Sequence, residues 1–295
     1  MSSAETRHVV LVTGAAGKTG RAVLRALRGG GLAVRAFVRE PRQRDAVARL
    51  GVDEVFAGDL LDEGDVREAA RGARGVYHIC PNVHPAETAI GSGVIAAARA
   101  AGVERFVFHS VLHPQTEAMP HHWAKLRVEE ALLASGLPFT ILQPAPYMQN
   151  VFAPWERIVR EGVYPVPYAL STRLVMVDLE DVAAAAARVL TDPRHAGATY
   201  ELCAPELLDQ TEIADALGRH LGRAVRAEAV PVDAWARGAG LAPGSYPRET
   251  LAAMFRYYER YGMAGGSGVL EWLLGRPPAR FSQCLARRSS PRVLP

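Results

Sequence analysis

The chain has little cysteine, little net charge and no long hydrophobic run. Its 295 residues include three cysteines, Cys80, Cys203 and Cys284, too far apart for any Cys-x-x-Cys pair. That spacing excludes a zinc knuckle and a disulfide framework, and it fits a reducing compartment, so a cytoplasmic protein is expected. The formal charge is +3, from 34 Lys and Arg against 31 Asp and Glu, and no basic stripe accompanies it, which argues against a nucleic-acid partner. The one local concentration, Arg287, Arg288 and Arg292, lies in a stretch, 286–295, that reads as a flexible tail. No apolar run approaches the roughly 20 residues of a membrane span, and the run Val9–Val12 is too short for a signal sequence. The expectation is therefore a soluble chain without membrane contact, a monomer or homodimer.

What is present is the composition of an ordinary globular protein, with 49% apolar and 22% charged residues, which sets disorder and fibrous architecture aside. Short apolar runs alternate with stretches of helical period. Strands are expected at His8–Thr13, Ala33–Val38, Glu54–Ala57, Gly75–Ile79, Arg105–His109, Phe139–Leu142 and Thr199–Cys203. Helices are expected at Gly20–Arg28, Arg42–Leu50, Asp62–Arg71, Glu87–Ala101, Pro120–Ser135 and Leu179–Leu190. This alternation is the mark of an α/β protein with a doubly wound parallel sheet of about seven strands. Gly102, Gly136 and Gly197 fall just past helices, where a left-handed residue is least costly as glycine. From Pro144 the texture changes to proline-interrupted, aromatic-rich loop, and helices resume at Asp209–Leu221, Val232–Gly238 and Arg248–Tyr261. The expected division is a Rossmann domain over 5–150, completed by 176–204, with 151–175 and 205–285 forming a small, mostly helical substrate-binding region.

The most specific motif is Gly14-Ala15-Ala16-Gly17-Lys18-Thr19-Gly20, placed between a strand and a helix. In that context Gly14 makes the tight turn, Gly17 lets backbone approach a pyrophosphate, and Gly20 packs helix on strand, with Ala16, Lys18 and Thr19 beside the phosphates. Dinucleotide binding follows. The second strand ends in Arg39 where an NAD binder usually carries an acidic residue, and a guanidinium suits a 2′-phosphate. This favours NADP(H). Glu40 is adjacent and offers the alternative, a ribose ligand and NAD(H). His109 and His113 are spaced like a metal pair, but they do not share a helical turn, so no metal site is assigned.

The G-x-x-G-x-x-G spacing resembles that of the short-chain dehydrogenase/reductase superfamily. Together with FVFHSV (106–111), HHWAKLRVEEALLASGLPFTILQPAPYMQN (121–150), VDLEDVAAAA (177–186) and RYYERYGMAGGSGVLEWLLGRPPARF (256–281), it makes nearly the whole chain similar to NmrA-like proteins, an atypical branch of that superfamily. The resemblance implies a Rossmann fold and a nicotinamide cofactor, and leaves the chemistry open between reductases of quinones, dyes and isoflavonoids and cofactor-binding regulators. It also implies that Asp59 and Leu60 contact adenine, although Asp59 equally suits a cap on the following helix. Tyr-x-x-x-Lys of the superfamily is incomplete here. Lys125 and Ser110 stand at matching places, while the position four before Lys125 is His121. On one helical face with His122 and Lys125, His121 can replace the phenol as proton donor. Lys125 is expected to hold the nicotinamide ribose, the alternative being an ion pair with Glu129.

Pro144 and Tyr147 leave the sixth strand at its carboxyl end, beside the expected nicotinamide. Tyr147, Met148, Phe152, Trp155 and Tyr168 follow, either as walls for a flat conjugated substrate or as core beneath the helical cover. Three functions are consistent with this reading. The first is an NAD(P)H-dependent oxidoreductase that reduces a quinone or other conjugated or aromatic carbonyl compound. The second is a non-catalytic NADP-binding sensor, and the third a tailoring enzyme on a polycyclic aromatic metabolite.

Overall fold

The structure, a computed structural model, describes residues 8–288. Its first half is built from β1 (Val9–Val12), α1 (Lys18–Leu27), β2 (Ala33–Val38), α2 (Arg44–Ala48), β3 (Glu54–Ala57), α3 (Glu63–Ala70), β4 (Ala73–His78), α4 (Glu87–Ala100), β5 (Arg105–His109), α5 (Pro120–Leu133) and β6 (Phe139–Pro144). There follow α6 (Trp155–Glu161), β7 (Val163–Val166), β8 (Leu174–Val175), α7 (Leu179–Thr191), β9 (Ala198–Leu202), β10 (Leu207–Leu208), α8 (Gln210–Leu221) and β11 (Arg226–Ala229). The helices α9 (Val232–Gly238), α10 (Tyr246–Tyr261), α11 (Gly268–Leu274) and α12 (Phe281–Arg288) close the described chain.

Seven strands form one sheet in the order β3-β2-β1-β4-β5-β6-β9, and every pairing in it is parallel. Such a sheet must be covered on both faces, because helical crossovers bury both sides of each strand. Accordingly the apolar residues divide into two cores. Val10, Val12, Tyr77 and Val107 face α1 and α7, whereas Leu11, Phe37, Phe106 and Phe108 face α3, α4 and α5. Gly102, Gly136 and Gly197 adopt φ of +68°, +76° and +81° at the helix ends where the sequence places them.

A third cluster, around Met148, Ile158, Tyr164, Ile213, Leu217 and Phe281, lies under the segments that follow β6. Here the structure departs from the sequence reading. The proline-rich stretch is not all loop, since β7 pairs in parallel with β11 although Pro165 lies within it. A two-stranded ribbon leaves one edge of β7 without a ladder, so the missing N–H of proline has no partner to lose. The helix expected over Arg42–Leu50 is a 3₁₀ turn at Pro41–Gln43 followed by the short α2. The tail expected from residue 286 is helical through Arg288, because Cys284 and Leu285 bury the inner face of α12. Residues 289–295, Arg292 among them, lie outside the described residues.

Candidate functional site

The carboxyl ends of β1, β4, β5 and β6 open into one cavity of about 1300 Å³. A drug-sized ligand needs roughly 300–1,000 Å³, so this space accommodates a dinucleotide and a second molecule. One end is the phosphate loop. Gly14 turns at φ +59°, and a Cβ on Gly20 would overlap the Gly14 carbonyl oxygen, so both positions require glycine if α1 is to start this close to β1. The N-cap of α1, Gly17, carries no side-chain cap, and its first turn has no acidic residue. The uncapped N–H groups and the positive end of the helix dipole suit a pyrophosphate. The residues present therefore fit the nucleotide that the sequence implies.

Towards the adenosine end the lining includes Arg39, Gln43, Asp59 and Leu60. Arg39 is exposed. The Glu40 carboxylate is engaged elsewhere, since it pairs with Arg42 and completes a reciprocal cap with Gln43 at the 3₁₀ turn. It is not among the cavity residues. Asp59 accepts a hydrogen bond from the Leu61 N–H at 3.0 Å, while the cap of α3 is Asp62.

At the other end of the expected nucleotide, Lys125 projects from α5 and its ammonium lies 2.6 Å from Glu87 of α4 and 3.5 Å from the carbonyl oxygen of His109. The pair with Glu129 is not formed. Glu129 instead accepts hydrogen bonds from Ser110 and from Gln143, the latter at 3.0 and 3.1 Å. His121 and His122, at the start of α5, are buried at 9% and 1% exposure. Burial pushes the His121 imidazole down to about 3, with His122 and Lys125 adding to the shift. It is neutral at pH 7, and its Nδ1 has no hydrogen-bond partner among the described residues. Ser110, His121, His122 and Lys125 all line the cavity.

Sequence reasoning missed one polar cluster of the site. The His109 ring lies between two tyrosines, with Nδ1 2.7 Å from the Tyr77 hydroxyl and Nε2 2.5 Å from that of Tyr147. Both ring nitrogens of His109 are thus engaged by tyrosine hydroxyls. Tyr147 also accepts from Thr19 at 3.3 Å, and three residues on, Asn150 accepts from Lys18 at 2.7 Å. The segment after β6 therefore touches the phosphate loop at two points. The signal that could have found this cluster is positional: Tyr77, His109 and Tyr147 all come from the carboxyl ends of adjacent strands, where binding crevices open.

Beyond Tyr147 the cavity widens into an aromatic room. Tyr147, Phe152 and Tyr168 line it, as does Pro144 at its nicotinamide side. Met148 and Trp155 do not. Met148 is packed in the third core cluster, and Trp155 stands behind Phe152 with ring centres 5.6 Å apart. The opposite wall comes from Trp235 of α9 and from Leu251, Met254, Phe255 and Tyr258 of α10, residues that no sequence pattern placed here. Tyr168 meets Phe255 and Tyr258 at 5.8 and 6.3 Å between ring centres.

A seven-stranded parallel sheet, a dinucleotide loop and a cavity that continues past it define an NAD(P)-binding oxidoreductase of the atypical short-chain dehydrogenase/reductase type. The chain belongs to the NmrA-like family, which residues 6–283 match. It is 29% identical to the NAD(P)H azoreductase of Xenophilus azovorans over 280 residues, 93% of this chain and 96% of that protein. It is 34% identical over 280 residues to the (4-alkanoyl-5-oxo-2,5-dihydrofuran-3-yl)methyl phosphate reductase of Streptomyces griseus, covering 92% of this chain and 95% of that one. The NADPH-dependent quinone oxidoreductase of Escherichia coli, solved with NADPH, superposes with a TM-score of 0.83 at 26% identity, covering 95% of this chain and all of the other. NADP(H) is accordingly the favoured nucleotide, with NAD(H) the alternative. Among the described residues no helix is long and apolar enough to cross a membrane.

Proposed function

We propose that the chain reduces a quinone or another conjugated or aromatic carbonyl compound with NADPH as reductant. The observation that carries this reading is the continuity of the cavity: one space runs from Gly14–Gly20 past Lys125 and Ser110 into the room lined by Tyr147, Phe152, Tyr168 and Phe255. A flat acceptor there would lie against the nicotinamide end of a nucleotide held by the loop. The reduced nicotinamide, when bound, supplies hydride. The protein's part is to hold and exclude. Gly14–Gly20 and Arg39 bind the phosphates, Lys125 orients the nicotinamide ribose, and the aromatic walls select flat surfaces and keep water out. His121, neutral and with a free Nδ1, offers a hydrogen bond to the acceptor, while the Ser110 hydroxyl is committed to Glu129. An open room beside the nucleotide favours turnover over a purely nucleotide-sensing role.

Arg288 favours a second reading, in which the acceptor carries an anionic substituent. Its guanidinium lies 4.1 Å from the Trp155 ring centre and 4.6 Å from that of Phe152, lines the cavity, and pairs with no carboxylate among the described residues. A guanidinium stacked in this way keeps its N–H edge available to a phosphate or carboxylate.

The test is steady-state oxidation of NADPH, followed by absorbance, with menadione, a sulfonated naphthoquinone, an azo dye and an enone. Turnover of at least one acceptor is expected. A protein that binds NADPH but oxidises it with none of the four is not a reductase of this class.

A further inference from the structure

We propose that Tyr147 is the proton donor to the reduced acceptor, and that His109 and Tyr77 fix the orientation of its hydroxyl for that purpose. The inference rests on the reductase reading and supplies what the incomplete Tyr-x-x-x-Lys pattern leaves unassigned. Its basis is a chain of three hydrogen-bonding groups whose innermost member has a single choice.

Tyr77 is wholly buried, and the partner of its hydroxyl among the described residues is Nδ1 of His109 at 2.7 Å. A buried hydroxyl proton left without an acceptor costs about 1–3 kcal/mol, so the Tyr77 O–H donates to Nδ1. Nδ1 then carries the lone pair. Burial holds His109 neutral, with its pKa down to about 3, and the ammonium of Lys125 works in the same direction. A neutral imidazole whose Nδ1 accepts carries its one proton on Nε2. That N–H points at the Tyr147 oxygen, 2.5 Å away. Thr19 Oγ1 donates to the same oxygen at 3.3 Å.

The Tyr147 oxygen therefore receives two hydrogen bonds from protein, and its own proton is taken by neither partner. Tyr147 lines the cavity beside Pro144, between the phosphate loop and the aromatic room, so that proton is available to a bound acceptor. Burial raises the phenol to about 12, with the hydrogen bond from Thr19 working in the opposite direction, and the two donors remain in place to hold the oxygen once the proton has left. In the reaction, hydride from the reduced nicotinamide forms a C–H bond at the acceptor carbon. The electron pair of the C=O bond moves to oxygen, the Tyr147 O–H bond breaks, and its proton forms the product hydroxyl. The phenolate left behind keeps its hydrogen bonds from His109 and Thr19, and water entering after product release restores the phenol. Tyr77 and His109 are positioning residues: they do not reach the acceptor, but their tautomer decides whether Tyr147 offers its proton to the cavity or to the imidazole.

Two measurements test this. The first needs no turnover: ¹⁵N NMR of histidine-labelled protein at neutral pH, with the His109 signals assigned by their loss in His109→Gln. A neutral ring protonated at Nε2 is expected. A ring protonated at Nδ1 overturns the proposal, because Tyr147 would then be the donor to His109. The second compares Tyr147→Phe with wild type on a poorly activated conjugated ketone and on menadione. A general acid contributes about 10²–10⁴-fold, so kcat is expected to fall about 100-fold with the ketone and clearly less with the easily reduced quinone. Equal losses on both acceptors, or a ketone rate within about 3-fold of wild type, overturn the donor role. A wild-type protein that oxidises NADPH with neither acceptor sinks the reductase reading itself, whereas turnover indifferent to Tyr147→Phe sinks only the donor role.

Discussion

The ammonium of Lys125 lies 2.6 Å from the carboxylate of Glu87, and the Glu87 side chain is 1% exposed while that of Lys125 is 15% exposed. This pair ties α5 to α4 beneath the nicotinamide end of the cavity. A buried carboxylate of this kind is tolerated because a cation neutralises it, and removing one partner of such a pair costs about 3–5 kcal/mol. Lys125→Met should therefore destabilise the protein by that order in urea unfolding, in addition to any loss of turnover. Lys125→Met combined with Glu87→Leu should recover most of the stability but not the turnover. If the double variant is no more stable than the single one, Glu87 is not the residue that requires the ammonium. The pairing of the two variants matters for function, since a fall in rate in Lys125→Met alone mixes catalysis with folding.

Arg39 and Glu40 are adjacent in sequence yet differ in availability. The Glu40 carboxylate is held by Arg42 and the Gln43 turn, while Arg39 faces the cavity without such a tie among the described residues. Charge-assisted hydrogen bonds are worth about 1.5–3 kcal/mol each, so one such bond to a 2′-phosphate gives a preference of at least about 10-fold. Titration calorimetry should find NADPH binding tighter than NADH by that margin, and Arg39→Asp should abolish or invert the order. NADH binding tighter than NADPH to the wild-type chain would transfer the ribose to Glu40 and require its cap to open.

Much of this was legible in the sequence, and the missing parts share a physical cause. The sheet and the phosphate loop were readable because a parallel strand buried on both faces is a short apolar run, and because glycines at 14, 17 and 20 have a local steric reason. The hydrogen bonds around His109 were not, since they join residues 32 and 38 positions apart and depend on strand register. The ion pair with Glu129 that helical spacing offered Lys125 as the alternative does not form, because Glu129 turns under the sheet to Ser110 and Gln143, leaving the ammonium to a helix neighbour distant in sequence. The opposite aromatic wall was hidden because α10 reads as an amphipathic helix whatever its apolar face covers. Arg287 and Arg288 read as a solvated tail. In the fold Arg287 pairs with Asp178 and Glu180 at the start of α7, and Arg288 stacks on two rings.

Four of the buried histidines, those that feel the charge of Lys125, contribute most to the response of the protein to acid; a fifth, His195, is also lowered by burial. His78, His109 and His121 are each held at about 3 and His122 at about 4, in every case chiefly by burial, with the ammonium of Lys125 contributing to all four. The ordinary value, and hence that of the unfolded chain, is near 6.5. Between that value and the folded ones the unfolded chain binds more protons than the native protein, so stability falls as pH is lowered through 6.5 and continues to fall towards 4. A protein whose acid sensitivity came from carboxylates alone would hold its stability to about pH 5. The melting temperature should therefore be level from pH 8 to about 7 and decline already between pH 6.5 and 5. His121→Gln, which removes one of the four titrating groups, should make that decline shallower, whereas a flat profile down to pH 5 in the wild-type protein would mean that these imidazoles take up protons in the folded state.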